Sequence, residues 1–131
     1  MIETNILKPN DAIEYIEYTH QEGFDDGIIT LSLEDINRYF FEEKSQFYYL
    51  IEYRGNFKEF ESAFDYNVFS QNAKRIILSV NHCPEFDIFA VNQITQYVNS
   101  KFAKNNGNIL VRTKFDNNLV SDEIEVDILF A

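Results

Sequence analysis

The sequence predicts an α/β (α+β) fold, a two-layer sandwich in which a four-stranded mixed sheet carries helices packed on it. Two observations carry that reading. Some segments show helix-start signals followed by one apolar stripe, and others alternate or run apolar over strand-like lengths. From residue 32 onward they follow in the order helix, strand, helix, strand, helix, strand, strand. The final strand has one apolar and one acidic face. Single-striped helices lying on one side of an open sheet satisfy both features.

The helices are expected from their caps. "NDAIEYIEY" offers Asp11 as N-cap with Glu14 in the capping-box position, and Ile13 and Ile16 on one face. "SLEDINRYF" places Ser32 as cap and Asp35 in the box, with Leu33, Ile36 and Phe40 at the 3-4 spacing of a buried stripe. "NFKEFESAFDYNVF" repeats the logic with Asn56 and Glu59, and its stripe is Phe57, Phe60, Phe64 and Val68. The longest helix starts at Asp87 and turns Val91, Ile94, Val98 and Phe102 inward, with Phe86 as a hydrophobic staple on Val91. Gly107 in "KNNG" is expected to close it in the left-handed conformation.

The strands are "FYYLIEY" (47–53), "RIILSV" (75–80), "NILVRTKF" (108–115) and "EIEVDILF" (123–130). In the last, Ile124, Val126, Ile128 and Phe130 face one side, and Glu123, Glu125 and Asp127 the other. The turn-rich linker "DNNLVSD" predicts that the last two strands pair as an antiparallel hairpin with a free edge open to another chain. Residues 1–26 are read as an extension with a short helix packed on the domain, or alternatively as an extra strand and helix that cover the sheet or mediate a dimer, and residues 27–131 as the domain itself.

Composition narrows the function classes. A net charge of −11 repels nucleic-acid backbones and anionic lipid, so neither is an expected partner. One cysteine excludes an internal disulfide framework and fits a reducing compartment. "MIETNILKPND" lacks the basic and apolar regions of a signal peptide, and no apolar run approaches the ~20 residues of a membrane span. The expectation is a cytoplasmic protein. Thirteen Phe and eight Tyr chiefly fill a core, but the run "RYFFEEKSQFYYLIEY" holds enough rings to leave some for a contact surface.

Reactive-looking residues are sparse. "NHCPEFD" (81–87) joins His82 to Cys83, the only cysteine. Adjacent side chains seldom face each other as nucleophile and base, so the stretch reads first as a strand-to-helix turn with an exposed thiol. One Cys and two distant His are weak zinc ligands. "QEGFDDG" offers Glu22, Asp25 and Asp26 but not the register or closing bidentate Glu of a calcium loop.

Several strings together resemble the C-terminal domain of FtsZ, the bacterial relative of tubulin. "AKRIILSVNHCPEFDIFAVNQI" is similar to that family's strand, Gly-Gly-Pro-Asp turn and Leu-Phe-Glu-Val-Asn helix, keeping Ala73, Lys74, Pro84, Phe89, Val91 and Asn92 with an acid at Glu85. His82 and Cys83 stand where the family has its two glycines. "NILVRTKFDNNLVSDEIEVDILFA" follows the family's last two strands, with a linker about one residue longer. "GIITLSLEDINRYF" resembles the loop and helix that open the same domain, so the resemblance spans residues 27–131.

The resemblance implies that the opening loop is a partner-facing element, because in FtsZ its polar residues enter the nucleotide site of the next subunit. The family's Asn falls on Thr30, its first Asp on Ser32 and its second on Asp35. Only Asp35 keeps a carboxylate, so the water-polarising role is not expected to survive. Nucleotide binding in the family belongs to another domain with a glycine-rich loop, and Gly23, Gly27, Gly55 and Gly107 are scattered here. No GTP and no other cofactor is expected. The leading expectation is a non-catalytic binding or scaffolding module. Its loop residues Thr30, Ser32, Glu34 and Asp35 would meet a protein partner, an FtsZ-type filament protein of cell division or a second copy. The alternatives are a small-molecule binder or enzyme using a pocket between sheet and helices, or a fragment of a larger FtsZ-like GTPase.

Overall fold

The computed structural model describes residues 1–104 and 108–131. Its strands are β1 (Ile2–Leu7), β2 (Tyr48–Asn56), β3 (Ala73–His82), β4 (Ala103–Phe115) and β5 (Glu123–Phe130). The helices are α1 (Pro9–Thr19), α2 (Leu33–Ile36), α3 (Phe57–Asn67) and α4 (Ile88–Phe102). A wider, π-type turn prolongs α1 over His20–Phe24, with a kink at the non-helical Gly23, and prolongs α2 through Asn37–Phe41.

The sheet is mixed, as expected, but has five strands rather than four, in the order β1-β2-β5-β3-β4. β1 adds an antiparallel edge to β2, pairing Ile2 with Tyr53 and Leu7 with Tyr48. The expected hairpin of the last two strands does not form. β5 inserts between β2 and β3, antiparallel to both, while β4 lies parallel to β3 at the far edge. β5 therefore has no free edge. Residues 116–122 carry the chain from β4 across β3, and the parallel β3–β4 pair is bridged by α4, the crossover that parallel strands need.

Helices cover both faces, which corrects the two-layer expectation. On one face Ile51, Tyr53, Leu78, Val80, Val126 and Ile128 pack beneath α3 and α4. On the other, Leu50, Ile77 and Leu129 lie beneath α1 and α2 with its π-type turn, against Ala12, Ile16, Ile36 and Phe40. The cause is visible in the strands: "LI" at 50–51, "IIL" at 76–78 and "ILF" at 128–130 are apolar at consecutive positions. Both faces of that end of the sheet therefore need cover.

The stripe of α4 is fully buried at Val91, Ile94, Val98 and Phe102. In α3, Phe60 and Phe64 are buried and Phe57 is partly so, as is Val68, the extended residue just past the helix end. Three of the expected caps hold: Ser32 Oγ accepts from Asp35 N at 3.0 Å, Asn56 Oδ1 from Lys58 N at 2.8 Å and Asp87 Oδ1 from Phe89 N at 2.9 Å. The fourth does not. α1 begins after Lys8 with Pro9 in its first turn, so Asp11 sits inside that turn, and its buried pair is Ala12 and Ile16. Proline suits this position because its missing N–H would have no partner there. α4 gives way to β4 directly after Phe102; the closure expected at Gly107 lies outside the described residues.

Candidate functional site

Beyond the apolar end, the face of the sheet beneath α1 becomes polar. Strand register lays its side chains out in two rows. One row runs Glu52–Asp127–Ser79–Arg112 across β2, β5, β3 and β4, and the next runs Arg54–Glu125–Asn81–Lys114. Tyr15, Tyr18 and Thr19 of α1, with Glu22 and Phe24 of the π-type turn, stand over these rows and enclose a cavity of about 320 Å³.

Arg54 is the hub of the floor. Its guanidinium meets Asp127 at 3.1 Å, Glu52 at 3.2 Å and Glu125 at 3.4 Å. Burial alone would lower the Arg54 pKa, but the three carboxylates, Asp127 foremost, outweigh it and raise the value. Glu52 is pushed above its ordinary value by burial and then by Asp127, which Arg54 only partly offsets. Tyr15 donates its hydroxyl to Asp127 Oδ2 at 2.6 Å, tying α1 to β5. Burial, and then the charge and hydrogen bond of Asp127, hold its phenol well above the usual range.

Arg112 is wholly buried beside this cluster. Its Nε donates to Ser79 Oγ at 2.7 Å and its Nη2 to Thr19 Oγ1 at 2.6 Å, while its guanidinium lies 4.5 Å from the centre of the Phe24 ring. Desolvation lowers its pKa. Asn81 Nδ2 donates to both Asp116 and Glu125 at 3.2 Å, leaving its buried Oδ1 without a partner. Of these residues only Glu22 was weighed from the sequence as a site residue, in the loop with Asp25 and Asp26, and the cavity as a whole was not expected. The available signal was Arg112, a charge inside an expected strand, where an unpaired charge is disfavoured; Arg54 and Asn81 lie just past the ends expected for theirs.

The loop expected to face a partner is on the surface. Thr30, Ser32, Glu34 and Asp35 are all exposed. The segment before them is pinned to β4: Thr113 N donates to Ile29 O at 2.8 Å, and Ile29 N donates to Thr113 Oγ1 at 3.0 Å. Gly27 makes this approach possible, since a Cβ there would lie 1.8 Å from Thr113 O. Gly23, in the turn above, has φ 125°, a conformation that favours glycine.

The exposed-thiol expectation is overturned. Cys83 and His82 are both buried, and the cysteine points to Ser121 O at 3.6 Å. The imidazole faces the carbonyl of Cys83, not its sulfur, through Nδ1 at 2.7 Å and packs against Phe86 and Phe115. The turn holds these residues inward because Phe86 folds back over them to meet Phe57. The aromatic run divides: Phe40, Tyr48 and Tyr53 are buried, while Tyr39, Phe47 and Tyr49 are exposed. Among the described residues no helix is long and apolar enough to cross a membrane.

No protein-family model matches the chain, and no curated protein matches it in sequence. Among solved structures it is similar to an empty FtsZ dimer from M. jannaschii, with a TM-score of 0.67 and 14% identity over 92% of this chain. The chain spans 38% of the length of that FtsZ chain. Identity at this level bears on fold alone, and the fold is FtsZ-like.

Proposed function

We propose that the protein is a non-catalytic contact module of FtsZ-like fold that binds a filament-forming protein of that kind or a second copy of itself, in the cytoplasm and in connection with cell division. The observation that supports this most directly is the pinned loop. Its backbone is fastened to β4 at Ile29, yet Thr30, Ser32, Glu34 and Asp35 all project to solvent. A fixed backbone that presents Thr30, Glu34 and Asp35, with Ser32 held as the cap of α2, suits docking, because little conformational freedom is lost on binding. Thr30 and Ser32 lack the carboxylates that water activation needs, which favours a contact role over a hydrolytic one.

The test is to titrate the purified protein into polymerising FtsZ while following sedimentation and GTP turnover. A dose-dependent change in either is expected, and a Glu34→Lys/Asp35→Lys double variant should lose it. Unchanged pelleting and turnover across the titration would remove the filament version. Sedimentation velocity of the protein alone, with and without the same double change, then decides self-association.

A further inference from the structure

We propose that the outer edge of β1 pairs with β1 of a second copy of this chain, joining the two sheets into one across a two-fold axis at Thr4. β1 ends the sheet, and among the described residues no strand lies on its far side. Its backbone phase is set by Met1 and Arg54, which exchange both bonds: Arg54 N donates to Met1 O at 3.0 Å and Met1 N to Arg54 O at 2.8 Å. Such pairs alternate along an antiparallel ladder, so Glu3, Asn5 and Leu7 also turn their backbone groups to β2. Ile2, Thr4 and Ile6 turn theirs outward. The register with β2 is unbroken from Ile2 to Leu7, and the side chains from Glu3 to Ile6 are exposed. Lysine and proline, common guards of a bare edge, do not occur in "IETNIL". The opposite edge is guarded. Residues 27–29 are fastened over Thr113 of β4, and the β3–β4 register breaks between Ala73 and Arg75.

The strand is complementary to itself. An antiparallel pairing centred on Thr4 sets Ile2 against Ile6 of the second copy and Thr4 against Thr4, so every outward N–H and C=O of β1 finds a partner. The same register sets Glu3 against Asn5 of the second copy, an amide that can donate to the carboxylate. An axis at Glu3 would oppose two carboxylates, and an axis at Asn5 would leave Ile2 without a partner in β1. Side chains alternate, so Thr4 and Ile6 share the face on which Ile2 packs into the core beneath α3. Ile6, 65% exposed, lies beside Tyr49, which stacks on Phe130. Ile2 of the second copy would extend that apolar row. Three strand spacings put β2 and its counterpart about 14 Å apart. Helices pack at about 8–10 Å, so the two α3 helices have room side by side. Both copies use the same edge, so the assembly closes at a dimer.

Sedimentation velocity of the full chain, from micromolar to millimolar concentration, tests this. A concentration-dependent dimer is expected. Asn5→Lys, at an exposed position, sets opposite charges at both symmetric contacts with Glu3. It should tighten the dimer about two- to thirtyfold, and Asn5→Glu should weaken it by as much, at the usual strength of cross-strand pairs. Glu3→Lys combined with Asn5→Glu exchanges the signs and should restore it. Thr4→Pro removes an outward N–H, spares the ladder to β2 and should abolish the dimer. Circular dichroism establishes that each variant is folded. Amide exchange at Ile2, Thr4 and Ile6 should be slow in the dimer and fast on dilution. Glu34→Lys/Asp35→Lys should leave the dimer intact, so this edge and the exposed loop stand or fall separately. The proposal is overturned if the chain stays monomeric at millimolar concentration, whatever else the edge binds. It also fails if a dimer forms that ignores the Asn5 charges and Thr4→Pro, or that the loop double variant alone dissolves.

Discussion

Tyr15 of α1 and Asp127 of β5 are joined by a 2.6 Å hydrogen bond across 112 residues of sequence. Through it the N-terminal helix is fixed to the central strand, and Asp127 is shared between a phenol above and the Arg54 guanidinium beside it. Tyr15→Phe keeps the ring and deletes only this bond. Hydrogen bonds to charged groups contribute about 1.5–3 kcal/mol, and Asp127 retains Arg54, so the loss should fall near the lower end. Urea unfolding of the two proteins measures it, and an unchanged midpoint would show that the bond does not hold α1 down.

The same phenol makes stability depend on alkaline pH. The native state holds the Tyr15 proton more tightly than the unfolded chain does, and Tyr53 and Tyr97 share the direction, each chiefly through burial. A native value above the unfolded one leaves stability intact below the ordinary phenol value of 10.0 and lowers it as pH rises beyond. Spectrophotometric titration should show a late-ionising group of tyrosines. Tyr15→Phe should flatten the alkaline fall in stability relative to the parent.

Glu52 works in the opposite pH range. Burial and Asp127 raise its carboxyl above the ordinary 4.5, so the folded state binds its proton more tightly and stability falls as pH rises through that interval. Glu52→Gln removes the repulsion while leaving Arg54 two carboxylates. At pH 7 the variant should be more stable, by less than about 1 kcal/mol given the solvent screening of a partly exposed group. Below the ordinary carboxylate value the two proteins should melt together. A variant less stable at neutral pH would mean that the Arg54 contact outweighs the repulsion.

How much of this was legible in the sequence depends on the distance over which each feature is decided. The caps at Ser32, Asn56 and Asp87 and the stripe of α4 were legible, because each is settled within one or two helical turns. Pro9 was an equally local signal for the start of α1, and Asp11 was the weaker competitor. β1 was legible only as an alternative, an extra strand somewhere in residues 1–26: "IETNIL" lacks sustained alternation, and only pairing with β2, some fifty residues away, makes it a strand. The position of β5 turned on Leu129, which breaks the alternation Ile124–Val126–Ile128–Phe130 and gives that end a second apolar face. The cavity drew Tyr15, Glu52, Arg54, Asn81, Lys114 and Asp127 from one helix and four strands, so no short motif could announce it. The glycine-to-His82/Cys83 exchange suggested an exposed thiol, and the folding-back of Phe86 reversed it.

Burial of Cys83 makes its chemistry predictable. At 2% exposure, with the thiol against Ser121 O, it should resist thiol reagents in the native state and react in step with unfolding. Labelling with a small alkylating reagent across a urea series, followed by mass spectrometry, checks this. Modification at zero denaturant on the timescale of a free thiol would mean that the 83–87 turn opens far more readily than the protein unfolds.

Gly27 is the sharpest test of how the exposed loop is held. A methyl group there would meet the Thr113 carbonyl at 1.8 Å, with the carbonyl carbon at 2.5 Å, so backbone rather than a flexible side chain must yield. The nearest relief is to lift residues 27–29 off β4, which breaks the bonds between Ile29 and Thr113. Gly27→Ala should therefore destabilise by about 1–3 kcal/mol, the usual range for overpacking. It should also free the loop selectively. Amide exchange at Thr113 and Ile29, slow in the parent, should become fast in the variant while β3 and β5 stay protected. Thr30→Ala, three residues on and exposed, should change neither. If Gly27→Ala instead leaves the Thr113 amide protected, the loop is held by something other than this close approach. Thr30, Ser32, Glu34 and Asp35 would then owe their presentation to the Ser32 cap of α2 alone.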